Sequence, residues 1–233
     1  GLTFSGDCVV TIELNGKGLC GAVPAEIGRL TSLEALRVKG NVITSLPPEL
    51  GNLAKLKIVN LRNNQLTRLP AEIGKLTNLT LLNADENQLT EVPTALGNLT
   101  KLESLYLGSN KLKALPAELG RLINLTELAL ANNKLTQVPA WIGQLTNLTQ
   151  LRLYTNELTV LPAEIGQLAK LKILIAHTNQ LTGVPPELGR LTNLETLGLS
   201  TNRLTEIPAE LGKLAASLGF FFLHKNKLKS VPT

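Results

Sequence analysis

The sequence predicts an α/β fold: a right-handed solenoid with a concave parallel β-sheet and short helical turns on its convex side. The main observation is one frame, L-x-x-L-x-L-x-x-N-x-L-x-x-L-P, which recurs every 23 residues from Leu33 onward. A fixed period of about 20 to 29 residues is typical of solenoids in which each unit combines one strand with one return segment. The asparagines of the frame are Asn41, Asn64, Asn87, Asn110, Asn133, Asn156, Asn179, Asn202 and, after one inserted residue, Asn226.

The second coil shows how the frame builds a strand. Leu36 and Val38 alternate with Arg37 and Lys39, so the leucine and valine are expected to point into the stack and the two basic residues out of it. Asn41 ends the strand where the chain turns inside the stack. Its amide must bond to backbone groups there, since an unpaired buried amide is costly.

The segment Pro70-Ala71-Glu72-Ile73-Gly74 and its counterparts predict one helical turn in each coil. Proline suits the start of a helix, glutamate is favourable near its positive end, and glycine is expected to stop it. A helical turn is wider than a strand, so stacking should curve the solenoid with the strands inside. Ten strands about 4.8 Å apart would span roughly 43 Å.

Length and repeat number predict one domain over residues 1–233, made of about ten coils without a linker. Both ends depart from the frame. Residues 1–32 are interpreted as an N-terminal cap and first coil, with Lys17 at the asparagine position, and residues 218–233 as an incomplete last coil. Because no polar cap follows that coil, self-association through the C-terminal end is a further expectation.

The pattern L-P-x-E-I-G-x-L-x-N-L, present at residues 69–79, resembles the leucine-rich-repeat family, and the resemblance covers essentially the whole chain. It is similar to the 23-residue class of cytosolic Ras-pathway scaffolds, plant Ras-group repeats and bacterial repeats. The first coil, residues 8–14 and 19–24, instead resembles that of plant extracellular repeat proteins. The resemblance implies a concave sheet that binds proteins or peptides, and repeats that are seldom enzymes. Extracellular and cytoplasmic locations both stay open, and the first coil favours the former.

Other functional classes find little support. The sequence has no nucleophile elbow, phosphate loop or zinc-binding helix, so we expect no enzyme activity, cofactor or metal site. His177 and His224 take equivalent positions two coils apart, about 10 Å, which is too far to share a metal ion. The net charge is +5, but the basic residues form no run, so nucleic acid is not expected. No apolar run reaches the roughly 18 residues of a membrane span.

Two minor features leave alternatives open. Cys8 and Cys20 could form a disulfide, although their places around the first strand favour two free, partly buried thiols. N-x-T sequons occur four times. The repeat frame itself generates Thr-Asn-Leu-Thr, so the sequence leaves open whether these asparagines are glycosylated. The four asparagines are Asn78, Asn98, Asn124 and Asn147.

The outward strand positions vary widely while the frame hardly changes. This contrast indicates a surface shaped for a partner, although relaxed drift at exposed sites would look the same. Basic Arg37, Lys39 and Arg62 lie beside acidic Asp85, Glu86 and Glu127 in a bipolar strip that suits a charged peptide. Farther along, Tyr154, Ile173, Ile175, Phe220 and Phe222 surround a dip at Gly198 and Ser200 that resembles a hot spot. The predicted partner-binding residues are Arg37, Lys39, Arg62, Asp85, Tyr106, Glu127, Arg152, Tyr154, Ile175, His177, Phe220 and Phe222.

The sequence therefore predicts a non-enzymatic recognition module that binds a protein or peptide through its concave sheet. Two alternatives remain. The chain could be a structural scaffold, natural or engineered, without a ligand of its own, or it could be the sensor fragment of a larger receptor or regulatory enzyme.

Overall fold

One continuous β-sheet runs along the molecule in the computed structural model, which describes residues 1–229. The sheet contains a parallel strand from each of the ten predicted coils and one additional antiparallel strand at its N-terminal edge. Its order is β1-β2-β4-β6-β7-β8-β9-β10-β11-β12-β13. The strands are β1 Leu2–Ser5, β2 Cys8–Glu13, β3 Cys20–Ala22, β4 Ala35–Arg37, β5 Val42–Ser45, β6 Ile58–Asn60, β7 Leu81–Asn83, β8 Ser104–Tyr106, β9 Glu127–Ala129, β10 Gln150–Arg152, β11 Ile173–Ile175, β12 Thr196–Gly198 and β13 Phe220–Phe222.

The predicted fold class is confirmed: the chain forms a right-handed solenoid with the parallel sheet on its concave face. Successive strands pair in register, so that Leu128 of β9 lies between Leu105 of β8 and Leu151 of β10. These leucines are buried. Each coil adds the same set of apolar side chains to one core, and each fully buried leucine contributes about 1.5–3 kcal/mol of transfer free energy.

The N-terminal end has two features that the repeat frame does not predict. Strand β1 pairs antiparallel with β2, with a register shift between Thr3 and Phe4. It covers the edge of β2 that no earlier coil covers, and exposed strand edges are prone to pair with other chains. Strands β3 and β5 form a separate two-stranded parallel sheet on the first two coils.

The convex side carries the predicted helical turns, which are 3-10 turns. Five or six residues are too few for a stable α-helix, and short 3-10 pieces suit such connections. A proline precedes each turn at its N-cap. The turns within residues 1–229 are Ala25–Arg29, Pro48–Asn52, Ala71–Lys75, Thr94–Asn98, Ala117–Arg121, Ala140–Gln144, Ala163–Gln167, Pro186–Arg190 and Ala209–Leu214.

The role predicted for the turn glycines is wrong. Gly51 does not end its turn but lies inside it, at the fourth of five positions. A Cβ atom there would lie 2.8 Å from both the Cβ and the carbonyl oxygen of Glu72 in the next coil. The glycine is therefore required by the close approach of neighbouring turns.

The predicted asparagine ladder is present. The Asn133 Nδ2 atom donates to the carbonyls of Leu107, Leu130 and Ala131, and its Oδ1 atom accepts the Leu112 N–H at 3.0 Å. The counterparts from Asn41 to Asn202 are buried in the same way, except that Asn179 is half-buried. Each amide thus links its own coil to the coil before it.

The residue before each of these asparagines adopts a left-handed backbone conformation, which the sequence frame did not reveal. The φ angles lie between 52° and 56° from the third coil onward, and Gly40 takes this position in the second coil at 69°. Left-handed non-glycine residues are uncommon and carry a conformational cost. These residues are Asn63, Glu86, Ser109, Asn132, Thr155, Thr178, Thr201 and Lys225.

Cys8 and Cys20 are free thiols, and both are exposed, so the expected partial burial is wrong. Cys8 begins the edge-proximal strand β2, and Cys20 begins the outlying strand β3, so neither enters the stacked core. Within residues 1–229 no group of three or more His, Cys, Asp and Glu residues could hold a metal ion. No helix among these residues is long and apolar enough to cross a membrane. Residues 230–233 of the predicted last coil lie outside the described part of the chain.

Candidate partner-binding site

The concave face consists of outward side chains arranged in columns across the strands. Because β8, β9 and β10 pair residue for residue, Tyr106, Ala129 and Arg152 form one such column. The next column lies just beyond the strand ends, where backbone hydrogen bonds continue the same register from coil to coil. In the middle of the solenoid that column consists of Asp85, Gly108, Ala131 and Tyr154.

Small residues in both columns leave a depression of about 290 Å³, which we call the central dip. Gly108, Ala129 and Ala131 form its floor, and Ala129 and Ala131 are almost fully buried. Larger polar and aromatic side chains stand around this floor. They include Arg62, Asp85, Tyr106, Arg152 and Tyr154.

Glu127 fixes two side chains at the rim. The Tyr106 hydroxyl donates to Glu127 Oε2 at 2.7 Å, and Arg152 Nη1 lies 3.8 Å from the same oxygen. Arg152 Nη2 also donates to Gln150 Oε1 at 2.5 Å. Burial, and then the hydrogen bond to Glu127, raise the pKa of the Tyr106 hydroxyl, which therefore stays protonated at neutral pH.

The C-terminal wall of the central dip is an aromatic stack. The rings of Tyr154 and His177 lie 4.9 Å apart at 16° to one another. Burial, followed by the nearby charge of His224, lowers the pKa of His177, so the imidazole is neutral at physiological pH. A neutral ring can stack on Tyr154 without the desolvation cost of a charge.

The N-terminal wall combines an ion pair with a half-buried carboxylate. Arg62 Nη2 lies 2.6 Å from Glu86 Oε1, and Arg62 Nε donates to the same oxygen at 3.1 Å. Asp85 Oδ1 accepts the Gly108 N–H at 2.6 Å. Burial, with a smaller contribution from the charge of Glu86, raises the pKa of Asp85 despite the opposing influence of the Gly108 hydrogen bond and of the two arginines. The carboxylate is thus held in a place that penalises its charge.

The bipolar strip differs from its predicted form in one respect. Arg62 is bonded to Glu86 within the protein, so this charge is not open to a partner in the way expected. Arg37 is half-buried and Lys39 is exposed, and within residues 1–229 neither forms an ion pair. The basic end of the strip is therefore carried by Arg37 and Lys39.

The dip that the sequence predicts at Gly198 is partly filled. A Cβ atom on Gly198 would lie 3.3 Å from Cδ1 of Ile175, so the isoleucine leans over the glycine. Ser200 is buried. Beyond them, Phe220 and Phe222 stack with ring centroids 6.2 Å apart and are 62% and 44% exposed. Phe221 pairs with the buried Leu197 and so takes an inward position, but it is 37% exposed because no further described coil packs against β13.

The structure brings five of the twelve predicted residues to the central dip: Arg62, Asp85, Tyr106, Arg152 and Tyr154. Glu127 and His177 support them through Tyr106 and Tyr154. The other five lie apart. Arg37 and Lys39 are toward the N-terminal end, and Ile175, Phe220 and Phe222 are toward the C-terminal end. The sequence analysis did not predict the floor of the central dip. The small residues at adjacent outward positions of neighbouring coils could have indicated it.

Three of the four sequon asparagines belong to a second ladder of inter-coil bonds. Asn78, Asn124 and Asn147 each donate through Nδ2 to a carbonyl in the preceding coil, at 2.9, 2.7 and 2.9 Å. Asn193, which is not in a sequon, does the same at 2.8 Å. These amides have a structural role, and a glycan on Nδ2 would have to displace the hydrogen bond.

Comparisons with known proteins agree with this architecture. The family model described as a leucine-rich repeat region matches residues 9–131 and 113–218. Among curated proteins, none matches the chain.

Three similar solved structures are repeat proteins. A leucine-rich-repeat protein of Leptospira interrogans is 36% identical with a TM-score of 0.70, over 91% of this chain and 59% of that one. The ectodomain of the Arabidopsis thaliana receptor kinase GASSHO1/SCHENGEN3, in complex with Casparian strip integrity factor 2, is 30% identical with a TM-score of 0.74, over 95% and 30%. The plant peptide hormone receptor RGFR1, in complex with RGF2, is 27% identical with a TM-score of 0.67, over 94% and 48%. The chain thus spans less than two thirds of each of these structures.

Proposed function

Since the chain belongs to the leucine-rich-repeat family, we propose that it is a non-enzymatic recognition module that holds a protein or peptide across its concave sheet. Proteins of this family are typically binding modules, and two of the similar structures are receptors in complex with a named factor or hormone. The observation that carries the proposal for this chain is the central dip. It is a hollow of about 290 Å³ in the middle of the concave sheet, with small residues on its floor and larger side chains around it.

The walls of the central dip are held in place by contacts within the protein. Tyr106 is held by Glu127, and Tyr154 is held by the His177 ring. A site with fixed walls loses less side-chain entropy when a partner binds, and tyrosines at the centre of an interface are frequent hot spots. We therefore propose that a partner is anchored at the central dip and that the rest of the concave sheet contacts it around this anchor.

Charges on the N-terminal side would guide a partner toward this anchor. Arg37 ends strand β4 and Lys39 follows it, and Asp85 and Glu86 lie between this basic pair and the floor of the dip. Complementary charges mainly increase the association rate and weaken with added salt. We propose that Arg37 and Lys39 increase the association rate and that the central dip lengthens the time for which a partner stays bound.

The test uses a library of random peptides, because the natural partner is not identified. Peptides selected on the wild-type protein are then measured against Ala131→Trp, which fills the central dip, and Ala117→Trp, which adds the same side chain to an exposed convex turn. We expect Ala131→Trp to lower affinity at least about tenfold, or about 1.4 kcal/mol, and Ala117→Trp to leave it unchanged.

Two results would contradict the proposal. If no peptide is selected above background, a structural scaffold without its own ligand becomes the better description. If the two tryptophan variants bind equally well, the central dip is not the anchor. Circular dichroism and urea midpoints of both variants establish that each retains the fold.

A second candidate is that the chain is the sensor part of a larger receptor. It is favoured by the similarity to receptor ectodomains, of which the chain covers 30% and 48%. Sequencing the complete transcript that encodes these repeats tests the proposal. A membrane span and kinase domain in the same reading frame would support it, and a stop codon with neither would contradict it.

A further inference from the structure

Some charged side chains around the central dip are paired with each other, and one is not. Arg62 is paired with Glu86, while Arg152 is bonded to Gln150 and lies within ion-pair distance of Glu127. Two guanidinium groups thus face three carboxylates, those of Asp85, Glu86 and Glu127, which leaves a formal charge of −1. The two glutamates already neutralise the two arginines. The surplus negative charge is that of Asp85.

Asp85 is positioned to use this charge. Its Oδ1 atom is held by the Gly108 N–H at 2.6 Å, which orients the carboxylate at the edge of the floor. Among residues 1–229 it forms no ion pair, and no donor contacts its Oδ2 atom. A partly desolvated carboxylate without a direct ion pair is energetically unfavourable, and a cation placed beside it would reduce that cost.

The remaining walls of the central dip also suit a cation. The Tyr106 and Tyr154 rings stand on two sides of the floor, and each is fixed by a neighbouring side chain. Lysine and arginine side chains gain about 0.5–2 kcal/mol when they lie over a tyrosine ring. Asp85 and Tyr154 are three strands apart, which corresponds to about 14 Å along the column. An extended side chain entering between them can contact both.

The volume favours a single side chain over a complete small molecule. The central dip holds about 290 Å³, at the lower end of the roughly 300–1,000 Å³ typical of ligand pockets. It opens onto a sheet several strands wide, where the remainder of a peptide can lie. We infer that the central dip is a specificity pocket for an arginine or lysine side chain of the bound peptide, with Asp85 as its counter-ion and Tyr106 and Tyr154 as its walls.

This inference rests on the proposed peptide-binding function and is tested in parallel selections from the random peptide library. The three targets are the wild-type protein, Asp85→Asn and Glu118→Gln. Asparagine keeps an acceptor for the Gly108 N–H and nearly the same shape but removes the charge. Glu118 lies on a convex turn, so its substitution removes one negative charge elsewhere. We expect peptides selected on wild type and Glu118→Gln to share an arginine or lysine at one position, and those selected on Asp85→Asn to lack it.

One selected peptide is then synthesised with its cationic residue replaced by a neutral analogue, citrulline for arginine or norleucine for lysine. We expect the replacement to lower wild-type affinity at least about tenfold and to change the affinity of Asp85→Asn less than about twofold. Peptides enriched without a shared cation, or equal losses on both proteins, would overturn the inference and leave the proposed peptide-binding function intact. Failure to enrich any peptide on the wild type would overturn both.

Discussion

The Asn133 Nδ2 atom donates to the backbone carbonyl of Leu107, 26 residues earlier, at 2.9 Å. The bond crosses from one coil to the coil before it. The same contact recurs along the solenoid, so a row of asparagine amides replaces the backbone partners that the turning chain would otherwise lack. Because the ladder satisfies buried backbone groups, its loss at one position should lower stability.

Asn133→Ala is expected to lower the free energy of unfolding by about 1–3 kcal/mol, because the buried Leu112 N–H and several carbonyls lose their partner. The neighbouring Asn132 has φ of 53° and provides the comparison. Asn132→Ala should cost about 1 kcal/mol through backbone strain, whereas Asn132→Gly should cost almost nothing. Urea unfolding measures all three, and equal costs for Asn133→Ala and Asn132→Gly would refute the assigned roles.

The close approach of neighbouring turns gives a second prediction. Gly51→Ala should lower stability by about 1–3 kcal/mol, because the added methyl group would lie 2.8 Å from Glu72. Gly212 occupies the equivalent place in the last turn, where a Cβ atom would meet no atom within 4 Å. Gly212→Ala should be neutral or stabilising by up to about 1 kcal/mol. If both substitutions destabilise alike, the contact between turns is not the reason for the glycine.

The sequence predicted the repeated parts of the fold because each depends on contacts that every coil makes. Leu128 and Asn133 follow from periodicity and from the need to pair a buried amide. The left-handed conformation of Asn132 could not be read in this way, since threonine, serine, glutamate and lysine take the same place in other coils. Backbone hydrogen bonds between coils, and not the side chain, impose that conformation.

The candidate site was predictable only in outline. The outward columns follow from strand alternation, and five of the predicted residues meet at the central dip. The bond between Arg62 and Glu86 was not predicted. Glu86 lies one residue after the last outward position of its coil, and it contacts Arg62 of the preceding coil from a left-handed backbone conformation that the sequence did not reveal. Likewise, the width of the central dip depends on which small residues are adjacent across neighbouring strands. Predicting it from the sequence would have required comparing the residues of neighbouring outward columns.

Asp85 gives a prediction for pH. Burial raises its pKa above the ordinary value of 3.8, so between the unfolded and folded pKa values the native state holds a proton that the unfolded chain has lost. Stability attributable to this group therefore falls as pH rises through that window. Asp85→Asn should be more stable than wild type at neutral pH and similar to it near pH 3. A difference that does not change with pH would count against a desolvated Asp85 carboxylate.

The outer edge of β13 gives a prediction for assembly. Within residues 1–229 no strand pairs with this edge, and Phe220 and Phe222 are exposed beside it. Unpaired edges with apolar side chains favour association with a second copy. Sedimentation should show concentration-dependent self-association that Phe222→Ser weakens at least about tenfold. Ile123→Ser, which removes another exposed apolar side chain, should leave it unchanged. A wild-type protein that stays monomeric, or equal effects of both substitutions, would argue against this edge as the interface.

Binding of a peptide to the concave sheet through the central dip is tested most directly by a crystal structure of the protein with a peptide selected from the random library. We expect a peptide lying across the strands, with one side chain above Gly108 and Ala131 and between Tyr106 and Tyr154. A peptide bound to the convex turns or at the edge of the sheet, with the central dip unoccupied, would contradict it.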